Sequence, residues 1–532
     1  MSEFINRLNL DYYIKIIYNI LCIFVCKERA VQQLNSVAYI MVVLGILLAK
    51  GIGFFRDIVF ASVFGASVYT DIYFQIFGLV NLIFTGIGVA LSTLVIKNLN
   101  KAENAEESQK RAYVSSFMGK TTLITLIATA ILYVFSAPVV KLLLPGVQGA
   151  DFTLAVKLMY IMLPSLWFVL IAYIISGVLQ NNKVFFISSI MSLPFNVVII
   201  ASLFVPGVDI VTVGIVTTIG WFLHIVIQLP AFYKKGYRFF VKQEKKTKSS
   251  GKNSEILWIF ISNMMFQVSF MIDKAFVSGE SGVASTINYA SNLFITIASV
   301  FVVAMSNVVF PSISKNYEEG NIDYVKRLLQ NMIIIMFSIF VPFILVTSCF
   351  GENVISLLYE RGEFTHALAK TTGVLFAIYT LGAFGYVCQE LFNKILYLDN
   401  RYSYTVIGTV LVILLKPVIN MFVAPYGVIA IASATTALFT LYAVNIALAI
   451  KRVTGNYMDK EFLKNVSKIV ISGIFALLVF FAFKTVSPGF VNDKIMFLLP
   501  LMVCGVVYCA LLWKMGIVKI ILKGKNAQEG QE

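Results

Sequence analysis

The chain has 532 residues, 59% of them hydrophobic and 13% charged, with a mean hydropathy of +0.86. Soluble domains carry about 25% charged residues, and this composition excludes that class. The net charge of +15 lies in short loops between long apolar runs, which excludes a nucleic-acid recognition face and points to a membrane protein with positive loops on one side.

Apolar runs of about 18 residues or more can cross a hydrocarbon core of about 30 Å. Barrel strands are shorter and alternate in polarity, so the runs predict helices. The segment before the first long run, residues 1–35, holds "DYYIKIIYNILCIFVCKER". Its apolar stretch is broken by Lys15 and is followed by no small-residue cleavage site. It reads as a cytoplasmic or interfacial helix, with a further span through residues 12–26 as the alternative.

Fourteen spans follow, near 36–63, 69–97, 113–136, 153–180, 184–206, 209–233, 254–277, 283–312, 327–349, 366–393, 403–423, 427–450, 462–485 and 494–520. The loop after the sixth, "KKGYRFFVKQEKKTKSSGKN", carries eight Lys or Arg. The loops after the second, eighth and twelfth spans are also basic, through Lys97, Lys101, Lys110, Arg111, Lys315, Lys326, Arg327, Lys451 and Arg452. The alternating loops carry few cations, and the loop with Lys484 and Lys494 is the one out of line. This asymmetry puts both termini in the cytoplasm.

The chain also matches itself at an offset of about 216 residues. "RDIVFASVFGASVYTDIY" meets "IDKAFVSGESGVASTINY", so that Asp57 falls on Asp273 and Tyr73 on Tyr289. "VVKLLLPG" from Val139 meets "VISLLYERG" from Val354, and Pro194 with Asn196 meets Pro417 with Asn420. Six spans per repeat preserve orientation, so the halves are expected to face each other across a central cavity. The expected fold is an all-α polytopic membrane protein of about 14 helices. A first six-helix bundle occupies 36–233, a basic linker 234–253 and a second bundle 254–450. A cytoplasmic loop at 451–461, two additional helices within 462–521 and a cytoplasmic tail at 522–532 complete the chain.

Ionisable groups in membrane spans usually face a bundle interior or a wet cavity. Lys50 and Lys416 lie deep in their spans and are expected there. Lys120 lies a couple of turns into the third span and is assigned to the cavity with them. Lys274 and Glu390 sit close enough to span ends to snorkel. Arg56 and Asp57 approach the external end of the first span, and Asp71 opens the second at that end. An arginine between two carboxylates suits a gate that makes and breaks a pair; fixed salt-bridge glue is the alternative. Cavity cations suit an anion such as a diphosphate. Six cysteines without metal spacing and only two histidines give no metal site and no catalytic constellation. No cofactor and no enzyme activity are expected.

"GFFRDIVFASVFGASVYTDIYF", "NYASNL", "FPSISK", "RGEFT" and "QELFNKILYLDN" resemble motifs of the MurJ/MviN family of lipid II flippases. The resemblance runs from about residue 36 to about 450. It implies an alternating-access flippase of the MOP superfamily that moves an undecaprenyl-diphosphate-linked peptidoglycan precursor to the outer leaflet. The lipid tail would stay in the bilayer along a groove formed with the last two spans. It implies that Arg56 is a cavity arginine, that Asp57 and Asp71 are gate carboxylates, that Lys50 stands where the family often has arginine, and that Asn81 is the family's second-span asparagine. Two departures reduce the cavity's positive charge. Phe84 and Thr85 stand where many members have arginines, and Ser291, Asn292 and Ile295 replace charged residues of the eighth span. Another lipid-linked oligosaccharide, such as a capsule or exopolysaccharide unit, is therefore an alternative, with a non-transporting cell-wall scaffold behind it. Some members hold sodium between spans seven, eleven and twelve; Lys416 and Asn420 fall in that region, where an ammonium can replace the cation. Sodium or the membrane potential would supply the energy.

Overall fold

The computed structural model describes residues 36–101, 106–239 and 254–520. The N-terminal segment, most of the basic linker and the tail lie outside them. Among the described residues every regular element is a helix. Among the described residues ten helices are long and apolar enough to cross a membrane, and a bent pair makes an eleventh.

The first half begins with α1 (Ser36–Phe64) and α2 (Val68–Ile83). A π turn at Phe84–Gly88 joins α2 to α3 (Val89–Lys101), so one long rod carries a local change of register. Helices α4 (Glu107–Val134) and α5 (Ser136–Leu143) are separated by a break at Phe135. They lead to α6 (Gly149–Met162), α7 (Ser165–Asn181), α8 (Phe185–Ser189) and α9 (Leu193–Leu203). Helices α10 (Ile210–Val226) and α11 (Leu229–Lys234) close the half. Asp209 caps α10 by accepting a bond from the Thr212 N–H at 2.8 Å.

The second half starts with α12 (Ser254–Asn263) and α13 (Met265–Phe276), then α14 (Val283–Glu318) and α15 (Ile322–Tyr359). Helix α15 contains Pro342 and breaks at Phe350, whose φ of −126° leaves the helical region. Next come α16 (His366–Leu381) and α17 (Ala383–Val387), a second π turn at Cys388–Phe392, and α18 (Asn393–Leu398). The chain bends by 55° between His366–Leu381 and Ala383–Leu398. Helices α19 (Tyr402–Val423) and α20 (Val428–Thr454) complete this half. After it come α21 (Lys460–Val486), the short α22 (Pro488–Asn492) and α23 (Leu498–Lys514).

Three of the fourteen expected spans lie outside the set that passes on length and composition. They fall on α1, on the broken pair α12 and α13, and on α23, which has only 17 residues.

Each half packs mainly on itself. Helix α7 is covered by α3, α4 and α10, while α16 is covered by α14, α15 and α20. The halves meet where α2 lies against α13 and α14, where α1 lies against α14 and α15, and where α3 lies against α12. Helices α21 and α23 pack on each other and on α15, outside that seam. Outward faces stay apolar: Leu123, Ile124, Ile127 and Ile131 of α4 are exposed, as are Phe475, Leu478 and Phe481 of α21. Such faces fit acyl chains, against which helices gain nothing by hiding leucine.

Candidate functional site

Three polar constructions lie at or near the seam between the halves.

The first is a seal at the end that carries the turns 64–68 and 277–282. Asp71 of α2 is almost fully buried and reaches across to the first turn of α14. One carboxylate oxygen accepts the Gly282 N–H at 2.6 Å; the other accepts the Ser285 N–H at 2.6 Å and the Ser285 hydroxyl at 2.5 Å. A helix start leaves its first N–H groups without partners, and a carboxylate there satisfies them and the helix dipole together. Here the capping residue comes from the other half of the chain. Gly282 has φ +82°, and a Cβ on it would lie 2.6 Å from the Ala66 carbonyl oxygen, so the turn and the close approach both require glycine. Backbone contacts continue the seal. The Glu363 N–H donates to the Ser62 carbonyl at 3.0 Å, the Tyr289 hydroxyl to the Gly65 carbonyl at 2.9 Å, and the Gly146 N–H to Ser278 Oγ at 2.9 Å.

The second construction lies behind that seal. Arg56 donates to one oxygen of Asp57 from Nε at 3.0 Å and from Nη2 at 2.6 Å. Its guanidinium carbon stands 5.8 Å from the Phe77 ring centre and 5.5 Å from that of Phe195. The side chains of Arg56 and Asp57 are mostly buried but keep 16% and 12% exposure. Aromatic faces hold a guanidinium without consuming its donors, which leaves N–H groups for an anion. On α1 nearer its start, Lys50 donates to Ser299 Oγ of α14 at 2.7 Å and bridges the halves.

The third is dry. Lys416 of α19 and Asp273 of α13 are completely buried, with Nζ 2.5 Å from the Asp273 Oδ1. Lys416 also donates to Asn420 Oδ1 at 3.0 Å and to Thr435 Oγ1 at 2.6 Å. Asp273 accepts from Asn420 Nδ2 at 2.8 Å and from the Thr435 hydroxyl at 2.6 Å. One ammonium, one carboxylate, an amide and a hydroxyl thus form a neutral knot joining α13, α19 and α20. A buried ion pair is tolerable only with such complete hydrogen bonding.

In this structure Asp71 is bonded to α14, and the ion-pair partner of Arg56 among the described residues is Asp57. Lys120, expected in the cavity, is exposed on the same α4 face as Leu123, Ile124 and Ile127, where a lysine reaches the interface by snorkelling. Asn81 is half-buried on α2, three residues before the π turn. Lys274, read as snorkelling, is buried at the seam, and Glu390, read the same way, is half-buried in the second π turn. Ser285 and Thr435 carried no signal in the sequence, because their partners lie 214 and 162 residues away. Asp273 did carry one: its match to Asp57 in the self-alignment.

The model of the family described as "Lipid II flippase MurJ" matches residues 60–500. A curated relative from Buchnera aphidicola, named "Probable lipid II flippase MurJ", is 25% identical over 400 residues, covering 71% of this chain and 76% of the relative. A solved structure titled "Lipid II flippase MurJ, inward closed conformation" superposes with a TM-score of 0.74 at 22% identity, over 90% of this chain and 100% of that one. An inward-facing multidrug resistance MATE transporter of the MOP superfamily superposes with a TM-score of 0.58 at 14% identity, over 77% of this chain and 94% of that one.

Proposed function

The chain belongs to the lipid II flippase MurJ family, and from that premise we propose that it carries lipid II, an undecaprenyl-diphosphate-linked peptidoglycan precursor, across the bacterial cytoplasmic membrane by alternating access. The observation that carries this reading is the placement of Arg56. It is a partly exposed cation, clamped by one carboxylate and two aromatic rings, directly behind a seal made of backbone contacts between two halves. A diphosphate offers oxygens that compete with Asp57 for the guanidinium, and Arg binds such groups through paired N–H donors. Lys50 adds a second cation on the same helix.

The loop charges orient the molecule. Basic loops lie at the end opposite the Asp71 seal, which supports reading that seal as the outer gate and both termini as cytoplasmic. Shutting of the outer gate agrees with a state that would receive cargo from the cytoplasm. A two-repeat architecture is supported by breaks at Phe135 and Phe350, which fall at the repeat offset. The apolar cleft lined by Pro342, Cys349, Phe480, Leu501 and Tyr508 suits a prenyl chain beside α21 and α23.

Lys416 bears on the energy source. Its ammonium occupies the place that a coupled cation would take against Asp273, and the knot is already neutral. Transport is therefore independent of sodium at this position, and the membrane potential acts on the charge of the cargo. A second lipid-linked glycan is favoured by one observation: Ser291 of α14 bonds back to the Asn288 carbonyl at 3.2 Å and presents no charge.

Purified protein in liposomes containing fluorescent lipid II tests the proposal. Lipid brought to the opposite leaflet at a protein-dependent rate is expected. No transfer of lipid II, with transfer of another lipid-linked oligosaccharide, would replace it by the second reading.

A further inference from the structure

Lys274 sits in α13, 4% exposed, at the seam of the two halves. Its ammonium has two neutral acceptors, the Phe74 carbonyl of α2 at 3.3 Å and Asn288 Oδ1 of α14 at 3.5 Å. Among the described residues it makes no ion pair within 4.0 Å. That is a thin set for a buried ammonium with three donors, because a buried charge is tolerated when it is paired. Gly78 faces it, and a Cβ there would come 3.4 Å from Nζ, so space beside the ammonium is kept open.

The charges facing Lys274 are Asp71 of α2 and Asp273 of its own helix. Asp273 is engaged by Lys416. Asp71 is engaged only as long as the outer seal is shut, because its three donors all belong to the first turn of α14. Phe74, which Lys274 touches, follows Asp71 by three residues, about 4.5 Å of helix rise. When α14 leaves, Asp71 loses every donor at once. The backbone N–H groups of α14 move with their helix, whereas a lysine carries its charge on a flexible four-carbon stem that can span a widening gap.

We propose that Lys274 is the second partner of Asp71: as the outer gate opens, its ammonium leaves the Phe74 carbonyl and pairs with the carboxylate that α14 releases. Opening then exchanges a helix cap for an ion pair instead of stranding a bare anion. This makes Lys274 a positioning residue of the gate, and it rests on the alternating-access reading.

The test measures opening directly, without cargo. Spin labels are placed at the exposed positions Tyr69 and Glu280, on either side of the seam, in the full chain with its native cysteines replaced and reconstituted in nanodiscs. Electron–electron distance measurements report the long-distance, open fraction. Lys274→Met is expected to lower the ratio of open to shut molecules roughly tenfold or more, the scale for removing one partner of a buried pair. In an Asp71→Asn background the same substitution is expected to change it less than about twofold, since no anion is left to pair. Lys274→Arg is expected to retain opening. An equal loss in both backgrounds, or no loss in either, overturns the exchange while leaving alternating access standing. Absence of any long distance in the wild-type chain overturns both. Should Lys274→Met fail to fold, Lys274→Gln carries the same comparison.

Discussion

Asp57 and Asp273 occupy matched positions in the two halves of the sequence, yet they are placed in opposite surroundings. Asp57 holds the neighbouring Arg56 in a pair that keeps partial exposure and lies against Phe77 and Phe195. Asp273 holds Lys416, 143 residues away in sequence, in a pair with no exposure and four further hydrogen bonds to Asn420 and Thr435. The difference teaches how a duplicated acidic position can serve two ends. Burial and full bonding turn one ion pair into a structural rivet, because undoing it would leave a bare charge in a dry site. Partial exposure and an aromatic clamp leave the other free to exchange its partner, because water and rings share the cost.

Substitutions that treat the two pairs alike should therefore give unlike results. Lys416→Met is expected to cost about 3–5 kcal/mol of stability by stranding Asp273, read from thermal unfolding in detergent. Adding Asp273→Asn should recover most of that loss. Lys416→Ala leaves a cavity beside Asp273; sodium is expected to raise its unfolding temperature and to leave the wild type unchanged. Equal effects of sodium on both would remove the idea that the ammonium replaces a cation.

Gly362→Ala acts on the seal instead. Gly362 has φ +57°, and its Cβ would come 2.1 Å from the Ser62 carbonyl oxygen. The clash with Ser62 exists in the shut state only and is expected to bias the gate open by about 1–3 kcal/mol, whereas the cost of the positive φ falls on both states. Outward accessibility of labels at Tyr69 and Glu280 measures that bias. Arg56→Ala should cost less stability than Lys416→Met, because the Arg56–Asp57 pair keeps some exposure and the Lys416–Asp273 pair keeps none. A loss as large as that of Lys416→Met would abolish the distinction between the two acidic positions. Lys120→Ala marks the floor, with stability within about 0.5 kcal/mol of wild type and full transport, because its side chain lies on an outer face.

Much of this was legible before any coordinates. Apolar length located the helices, and the Arg56–Asp57 adjacency and the depth of Lys416 pointed to the two pairs. Hydropathy averages over a window and is blind to the face a residue occupies, so it separates neither the outer face of Lys120 from a cavity nor the buried seam of Lys274 from the interface. It is equally blind to backbone register, so the π turns at 84–88 and 388–392 and the 55° bend left no trace. The partners of Asp71 are Gly282 and Ser285, more than 200 residues away, and a proximity argument from the sequence could offer only Arg56. A carboxylate near the start of one helix announces that it can cap; it does not announce which helix.

The central claim is that Arg56 serves cargo and not architecture. Cells depleted of their own lipid II flippase, supplied with the wild type or with Arg56→Ala at matched membrane abundance, test it most directly. Growth with the wild type and none with Arg56→Ala, despite near-wild-type unfolding temperature, is the predicted result. Full rescue by Arg56→Ala would contradict it, since a protein that works without this cation does not pass a diphosphate across it.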